Sequence, residues 1–178
     1  IKPMNVFSVS NTDEAITTFE GMRIVPDYNY LTDSIPDIDI LVVPSANGHM
    51  GRLLKDTAMI EFVRRVSKDA MYVTSHCDGA FMLAKAGVLD GHESTTFPGD
   101  IDEYMEMFPH LKVHKDVLFV HDGKFMTSAG GAKSFEAALY LCEHMYGKKV
   151  ADELARGMVI DWDLSSLDYL KVDKKTHY

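Results

Sequence analysis

Short apolar runs bounded by turn residues alternate along this chain with longer stretches in which apolar residues recur every three to four positions. That rhythm predicts an α/β protein with a mostly parallel sheet. Asn5–Ser10 and Met22–Pro26 read as short strands, and the run Ile38–Val43 (IDILVV) reads as a fully buried one. Gly51–Ser67 carries Leu53, Leu54, Met59, Ile60, Phe62, Val63 and Val66 close to a 3.6-residue period, which predicts a helix. Tyr72–Thr74 is the next buried strand, and Gly79 to about Gly87 is the helix packed on it. Ser94–Phe97 reads as a short strand and Asp100–Met107 as a helix ending before Pro109. Val117–His121 and Lys124–Thr127 form a hairpin around Asp122 and Gly123. A long helix starts near Gly131 and Ala132 and stops at Gly147, and Lys148–Arg156 begins another. The mixed, charged tail from Ser165 to Tyr178 predicts a mobile end.

Composition narrows the class. A chain of 178 residues suits one core and is short for two, so residues 1–178 are expected to form a single domain. Hydrophobic residues at 46% and charged residues at 25% exclude a disordered or fibrous chain. A formal net charge of −9 argues against nucleic acid as a partner, because a basic face would have to neutralise phosphates. No stretch reaches the ~18 to 20 apolar residues of a bilayer span, and the N-terminus lacks a secretion pattern. The expectation is a soluble, cytoplasmic protein without a membrane partner. Cys77 and Cys142 are far apart in dissimilar settings, which suits neither a disulfide framework nor a zinc site. The histidines show no ligand spacing, so no metal is expected. Gly130 and Gly131 precede a helix but lack the lysine and further glycines of a phosphate loop, so no nucleotide cofactor is expected. Cys142 and the scattered Met71, Met82, Met105, Met107, Met126, Met145 and Met158 read as packing. Trp162 reads as a cap on the core rather than a groove lid.

The candidate chemistry lies in MYVTSHCDGAFML, residues 71–83. Cys77 sits at the corner between a strand and a small-residue helix, in the small-x-nucleophile-x-Gly spacing of a nucleophile elbow. At such a corner the helix N-terminus favours a thiolate, so a lowered thiol pKa is expected. The bland alternative is a buried small hydrophobe. His76 alternates with Cys77 along the strand, and its ring is expected to face away from the thiol. Asp78 either reaches a bound ligand from the first turn of the helix or serves that helix's free amides. His49, in the loop after Val43, reads as a solvent-exposed loop histidine rather than a pocket residue.

Three motifs together resemble the ThiJ/PfpI superfamily, relatives of class I glutamine amidotransferases. Val42, Val43, Pro44, Ser45, Ala46, Asn47 and Gly48 look like its strand followed by Pro-Gly-Gly. Cys77, Asp78, Gly79 and Ala80 look like its elbow, and Thr127, Ser128, Ala129, Gly130 and Gly131 like its closing loop. The segment Ala84–Gly91, with Ser94, Thr95 and Thr96 after it, resembles isocyanide hydratases and the sensor domains of AraC-type regulators. The resemblance covers most of Asn5–Asp161. It implies a flavodoxin-like three-layer sandwich, usually a homodimer, with the ligand site outside the carboxyl ends of the strands.

It also implies roles. Cys77 would be the nucleophile, and the backbone amides of Ala46 and Asp78 would stabilise developing negative charge. Ser45 and Ala46 stand where the family more often has two glycines. Phe97 stands where many members carry a histidine close to the cysteine, which counts against protease or amidotransferase chemistry. Members usually open with a strand and helix that bring an acid to the cysteine. That first βα unit is expected to be absent from this chain, and the partner acid with it. The resulting expectation is a cysteine-dependent enzyme of the hydratase, glyoxalase or hydrolase type, acting on a small electrophilic molecule. The alternative is a non-catalytic redox- or ligand-sensing domain that uses the same cysteine.

Overall fold

In a computed structural model, which describes residues 4–172, the chain opens with four two-residue strands. They are β1 (Val9–Ser10), β2 (Ile16–Thr17), β3 (Arg23–Ile24) and β4 (Tyr28–Asn29). All four stand apart from the central sheet, β1 pairing in parallel with β4 and β2 antiparallel with β3. The strand expected over Asn5–Ser10 is therefore reduced to its last two residues. Its apolar position Val6 is exposed, and without burial nothing offsets the entropy of ordering that backbone.

The remaining elements alternate as the sequence rhythm predicts. They run β5 (Ile40–Val43), α1 (Thr57–Asp69), β6 (Tyr72–His76), α2 (Gly79–Lys85), β7 (Glu93–Ser94), α3 (Ile101–Met107), β8 (Lys112–Val113), β9 (Phe119–Asp122), β10 (Phe125–Ser128), α4 (Ser134–Tyr146), α5 (Lys148–Gly157) and β11 (Tyr169–Val172). The central sheet has the order β11-β9-β10-β6-β5, parallel throughout except for the β9–β10 hairpin.

Period-two alternation puts successive strand residues into different cores. Leu41, Val43, Val73 and Phe125 pack with Phe81, Met82, Leu83 and Tyr104 on one side. Met126 and Phe119, flanked by Ile40 and Tyr72, pack with Ala137, Tyr140 and Leu141 of α4 on the other. The result is a mostly parallel sheet with helices on both faces, the flavodoxin-like sandwich expected. All six residues Gly79–Ala84 of α2 are buried, which explains its run of small and apolar residues.

Several local expectations are corrected. β5 begins at Ile40, and Val42 is 49% exposed, so the strand is not buried throughout. The helix expected from Gly51 begins at Thr57. Asp56 caps it by accepting the Met59 N–H at 3.0 Å, and Arg52–Lys55 form a separate 3-10 turn. Of the region Ser94–Phe97 only Ser94 is strand, in β7, which begins at Glu93 and pairs with β8. The hairpin turn falls on Gly123 and Lys124, one residue later than expected. The long helix starts at Ser134, after a 3-10 turn at Gly131–Lys133.

The tail also differs. β11 joins the sheet beside β9, with Tyr169 stacked on Phe119 at 4.9 Å between ring centroids. Its four residues, YLKV, are too few for periodicity to reveal. The end expected to be mobile falls, from residue 173 on, outside the described residues. Met82 and Met126 are core residues, whereas Met71, Met105, Met107 and Met158 are exposed. Trp162 packs against the second core and donates to Glu143 Oε2 at 2.8 Å. No described helix is long and apolar enough to cross a membrane.

Candidate active site

Cys77 occupies the single residue between the end of β6 and the N-cap of α2, and its φ is 53°. A non-glycine residue in the left-handed region costs energy that its surroundings must hold. Three contacts hold it. The Cys77 N–H continues the β6–β10 ladder by donating to Ser128 O at 2.9 Å. Thr96 Oγ1 donates to the Cys77 carbonyl at 3.0 Å. Gly130, with φ of 78°, lies so close that a Cβ there would stand 2.6 Å from the Cys77 Cβ and backbone nitrogen.

Gly79 performs the corresponding service on the other side of the bend. A Cβ on it would stand 2.0 Å from the Val43 carbonyl oxygen, so α2 approaches the end of β5 only because this residue is glycine. The motif segments 42–48, 77–80 and 127–131 are thus brought together at the carboxyl ends of β5, β6 and β10.

Cys77 is half-buried. Its sulfur lies 3.6 Å from Asp78 Oδ1, and the Asp78 backbone N–H and the Ser45 hydroxyl also interact with it. Ser45 Oγ lies 3.5 Å from Asp78 Oδ2, so a serine, a thiol and a carboxyl form one cluster. The expected lowering of the thiol pKa is overturned. Burial pushes the thiol up, and the charge of the Asp78 carboxyl adds to that, against the smaller opposing effects of the Asp78 N–H and Ser45. Desolvation of a thiolate outweighs the backbone N–H of Asp78 that the start of α2 offers the sulfur.

Asp78 does not cap α2 with its side chain, so the helix-amide alternative is not realised. Burial first, then the hydrogen bond and charge of Asp100, hold its carboxyl above the ordinary value. Ala46 is exposed in the loop after β5, its carbonyl accepting the His49 N–H at 3.0 Å. His76 Nδ1 lies 2.8 Å from Ser128 Oγ, which fixes the ring on Ser128.

His49 is a second correction. Expected at the surface, it is 1% exposed, because the turn around Gly48–Leu53 folds back onto α2. Its ring lies against the Asp78 backbone, and neither ring nitrogen has a hydrogen-bond partner of good geometry. Burial holds its pKa down to about 4, so the ring is neutral at neutral pH. Phe97 is 40% exposed. Among the described residues no imidazole is hydrogen-bonded to the Cys77 sulfur, and no group of three or more His, Cys, Asp or Glu could hold a metal ion.

Three residues of this cluster escaped the sequence reading of the site. Ser45 was visible only as a departure from glycine, and Thr96 only as part of a Thr-Thr pair. Asp100 ends the Phe-Pro-Gly-Asp turn, whose three-dimensional path local sequence does not encode. A groove of about 630 Å³, lined by Glu143, Lys148, Asp163, Leu167 and Tyr169 among others, does not include Cys77 or its partners.

Known proteins share this fold. DJ-1beta of Drosophila melanogaster is 24% identical over 153 residues, covering 86% of this chain and 80% of that protein. The isonitrile hydratase of Pseudomonas putida is 30% identical over 138 residues, covering 76% of this chain and 57% of the hydratase. A ThiJ/PfpI family protein from Pseudomonas syringae superposes with a TM-score of 0.75 at 21% identity, over 89% of this chain and 64% of the other. This chain therefore spans less than two thirds of the latter two proteins. Residues 2–144 match the sequence profile of the DJ-1/PfpI family, and the chain belongs to that family.

Proposed function

We propose that this protein is a cysteine-dependent enzyme that acts on a small electrophilic molecule, with hydration as the outcome. The observation that carries the reading is the bend at Cys77: a half-buried thiol held at φ 53°, facing a hydroxyl, a backbone N–H and a carboxyl. The likeness to an isonitrile hydratase supports the same class of substrate.

The raised thiol pKa means that the sulfur rests protonated at neutral pH. Attack therefore requires the S–H proton to leave as the Sγ–C bond forms. The electron pair of the substrate's multiple bond moves onto its heteroatom or terminal carbon, where a proton is taken up. The amides of Asp78 and Ala46 are the donors for that developing charge. Water then adds at the carbon bound to sulfur, the C–S bond breaks, and the thiol is restored. The sum is substrate plus water, with nothing oxidised or reduced. A homodimer and a cytoplasmic location belong to the same reading.

A sensing role draws less support, since oxidation by peroxide is favoured by a low-pKa thiol and this one is raised. The test is turnover of para-nitrophenyl isonitrile and methylglyoxal by the wild-type chain and by Cys77→Ser. Wild-type turnover is expected, with a loss of roughly a hundredfold or more in the variant at unchanged circular dichroism. Equal rates in the two proteins overturn the reading.

A further inference from the structure

Asp78 stands at the N-cap of α2, where an aspartate ordinarily accepts an N–H of the first helical turn. Capping of that kind needs an extended backbone. Asp78 is helical instead, with φ of −68° and ψ of −2°, and its side chain makes no cap. The carboxyl turns to two side chains outside the helix. Oδ1 accepts the Cys77 S–H with sulfur and oxygen 3.6 Å apart, and Oδ2 accepts the Ser45 O–H at 3.5 Å. Ser45 follows β5 and Cys77 follows β6, so this one side chain spans the carboxyl ends of two neighbouring strands. The backbone from which the thiol projects is pinned as well, its N–H donating to Ser128 O at 2.9 Å and its carbonyl accepting from Thr96 Oγ1 at 3.0 Å. Thiol and hydroxyl both carry the hydrogen, so Asp78 is the acceptor in both bonds, as an ionised carboxylate must be.

We propose that the Asp78 carboxylate takes the Cys77 proton during attack and passes it to the substrate, and that Ser45 is the positioning residue that keeps Oδ1 on the sulfur. A carboxylate bonded at one oxygen alone swings about its Cβ–Cγ bond. The Ser45 hydroxyl on the other oxygen restricts that rotation. In the step, the S–H bond breaks as an O–H bond forms on Oδ1, and Sγ bonds to the electrophilic carbon. The displaced π pair then takes the proton from Oδ1, and the carboxylate is as it began. When water displaces the sulfur, the same carboxylate carries a proton of that water back to it. Burial, the largest cause, lifts the Asp78 carboxyl above its ordinary value, which brings its proton affinity closer to that of the thiol and suits such a transfer. The thiol thereby has a carboxyl from the residue next to it in sequence, where the family resemblance implies one from a first βα unit.

The proposal rests on the cysteine-enzyme reading but is tested apart from it, with iodoacetamide as the electrophile. In a Cys142→Ser background at pH 7, Asp78→Asn is expected to slow alkylation of Cys77 roughly tenfold at unchanged circular dichroism. The sign of the effect decides. Asparagine also removes the charge that disfavours a thiolate, so a carboxylate that only repelled the sulfur would, once replaced, leave the thiol faster. Ser45→Ala is expected to slow alkylation roughly threefold, and Ser45→Thr, which keeps the hydroxyl, to restore it. Alkylation in Asp78→Asn as fast as in the parent or faster, or in Ser45→Ala as fast as in the parent, overturns the proposal. Slowed alkylation in both variants of a protein that turns over neither the isonitrile nor methylglyoxal supports the proton transfer and overturns the enzyme reading alone.

Discussion

The two cysteines of this chain share a half-buried setting and a thiol pushed up chiefly by burial, yet they stand in opposite kinds of structure. Cys142 lies inside the regular helix α4, where the charge of neighbouring Glu143 adds to the upward push. Cys77 sits on a strained backbone, between two glycines that tolerate no Cβ, among a hydroxyl, a carboxyl and a backbone donor. Proton affinity alone does not separate a working thiol from a packing one here. The costly backbone and the polar partners do.

Backbone crowding gives the largest way to break that contrast. Gly79→Ala forces a methyl group to within 2.0 Å of the Val43 carbonyl oxygen and is expected to cost on the order of 4 kcal/mol in urea unfolding. Cys142→Ala, in an ordinary helix, is expected to cost about 1 kcal/mol or less in the same measurement. An equal cost for both would mean that the bend is no more tightly built than the helix.

The buried imidazole beneath the bend comes next. The folded-state pKa of His49, about 4, lies below its ordinary 6.5, so protonation favours the unfolded chain. The stability this neutral ring contributes is complete above pH 6.5 and is lost as pH falls toward 4, by about 3 kcal/mol in all. His49→Leu is expected to flatten that part of the unfolding free energy measured between pH 7 and 4.5. No comparable dependence should attach to substitutions around Cys142.

Smaller effects sharpen the contrast. Thr96→Val removes the donor to the Cys77 carbonyl and is expected to cost about 1 kcal/mol in thermal or urea unfolding. Smallest is the difference in pH response of the thiols themselves. Burial holds both thiols above the ordinary thiol value, so iodoacetamide labelling of each should still be climbing where an unburied thiol has levelled off, with the midpoints read by mass spectrometry. A plateau for Cys77 below pH 8 would restore the lowered thiol expected from its place before a helix.

Much of the frame was legible because its causes are local or periodic. Gly79 next to a small-residue helix announces close approach, and the two-residue alternation of β6 and β10 announces a sheet with two covered faces. Cys77 was legible from spacing alone. Its electrostatics were not, since the cost of burial depends on what packs over the bend rather than on the helix behind it. His49 was misread because its loop is polar in sequence yet folds inward through its own backbone hydrogen bonds. Ser45 and Asp100 reach Asp78 on loops that leave different strands, and no periodic pattern connects them.

The tight seat of Gly130 against the backbone and Cβ of Cys77 means that the bend and the first turn leading into α4 form a mechanical couple. Any change that shifts the Cys77 backbone or Cβ has no slack to take up on that side and must press on Gly130. Such a shift is then readable at a distance, as faster amide exchange where α4 begins, well before any rearrangement of the sheet.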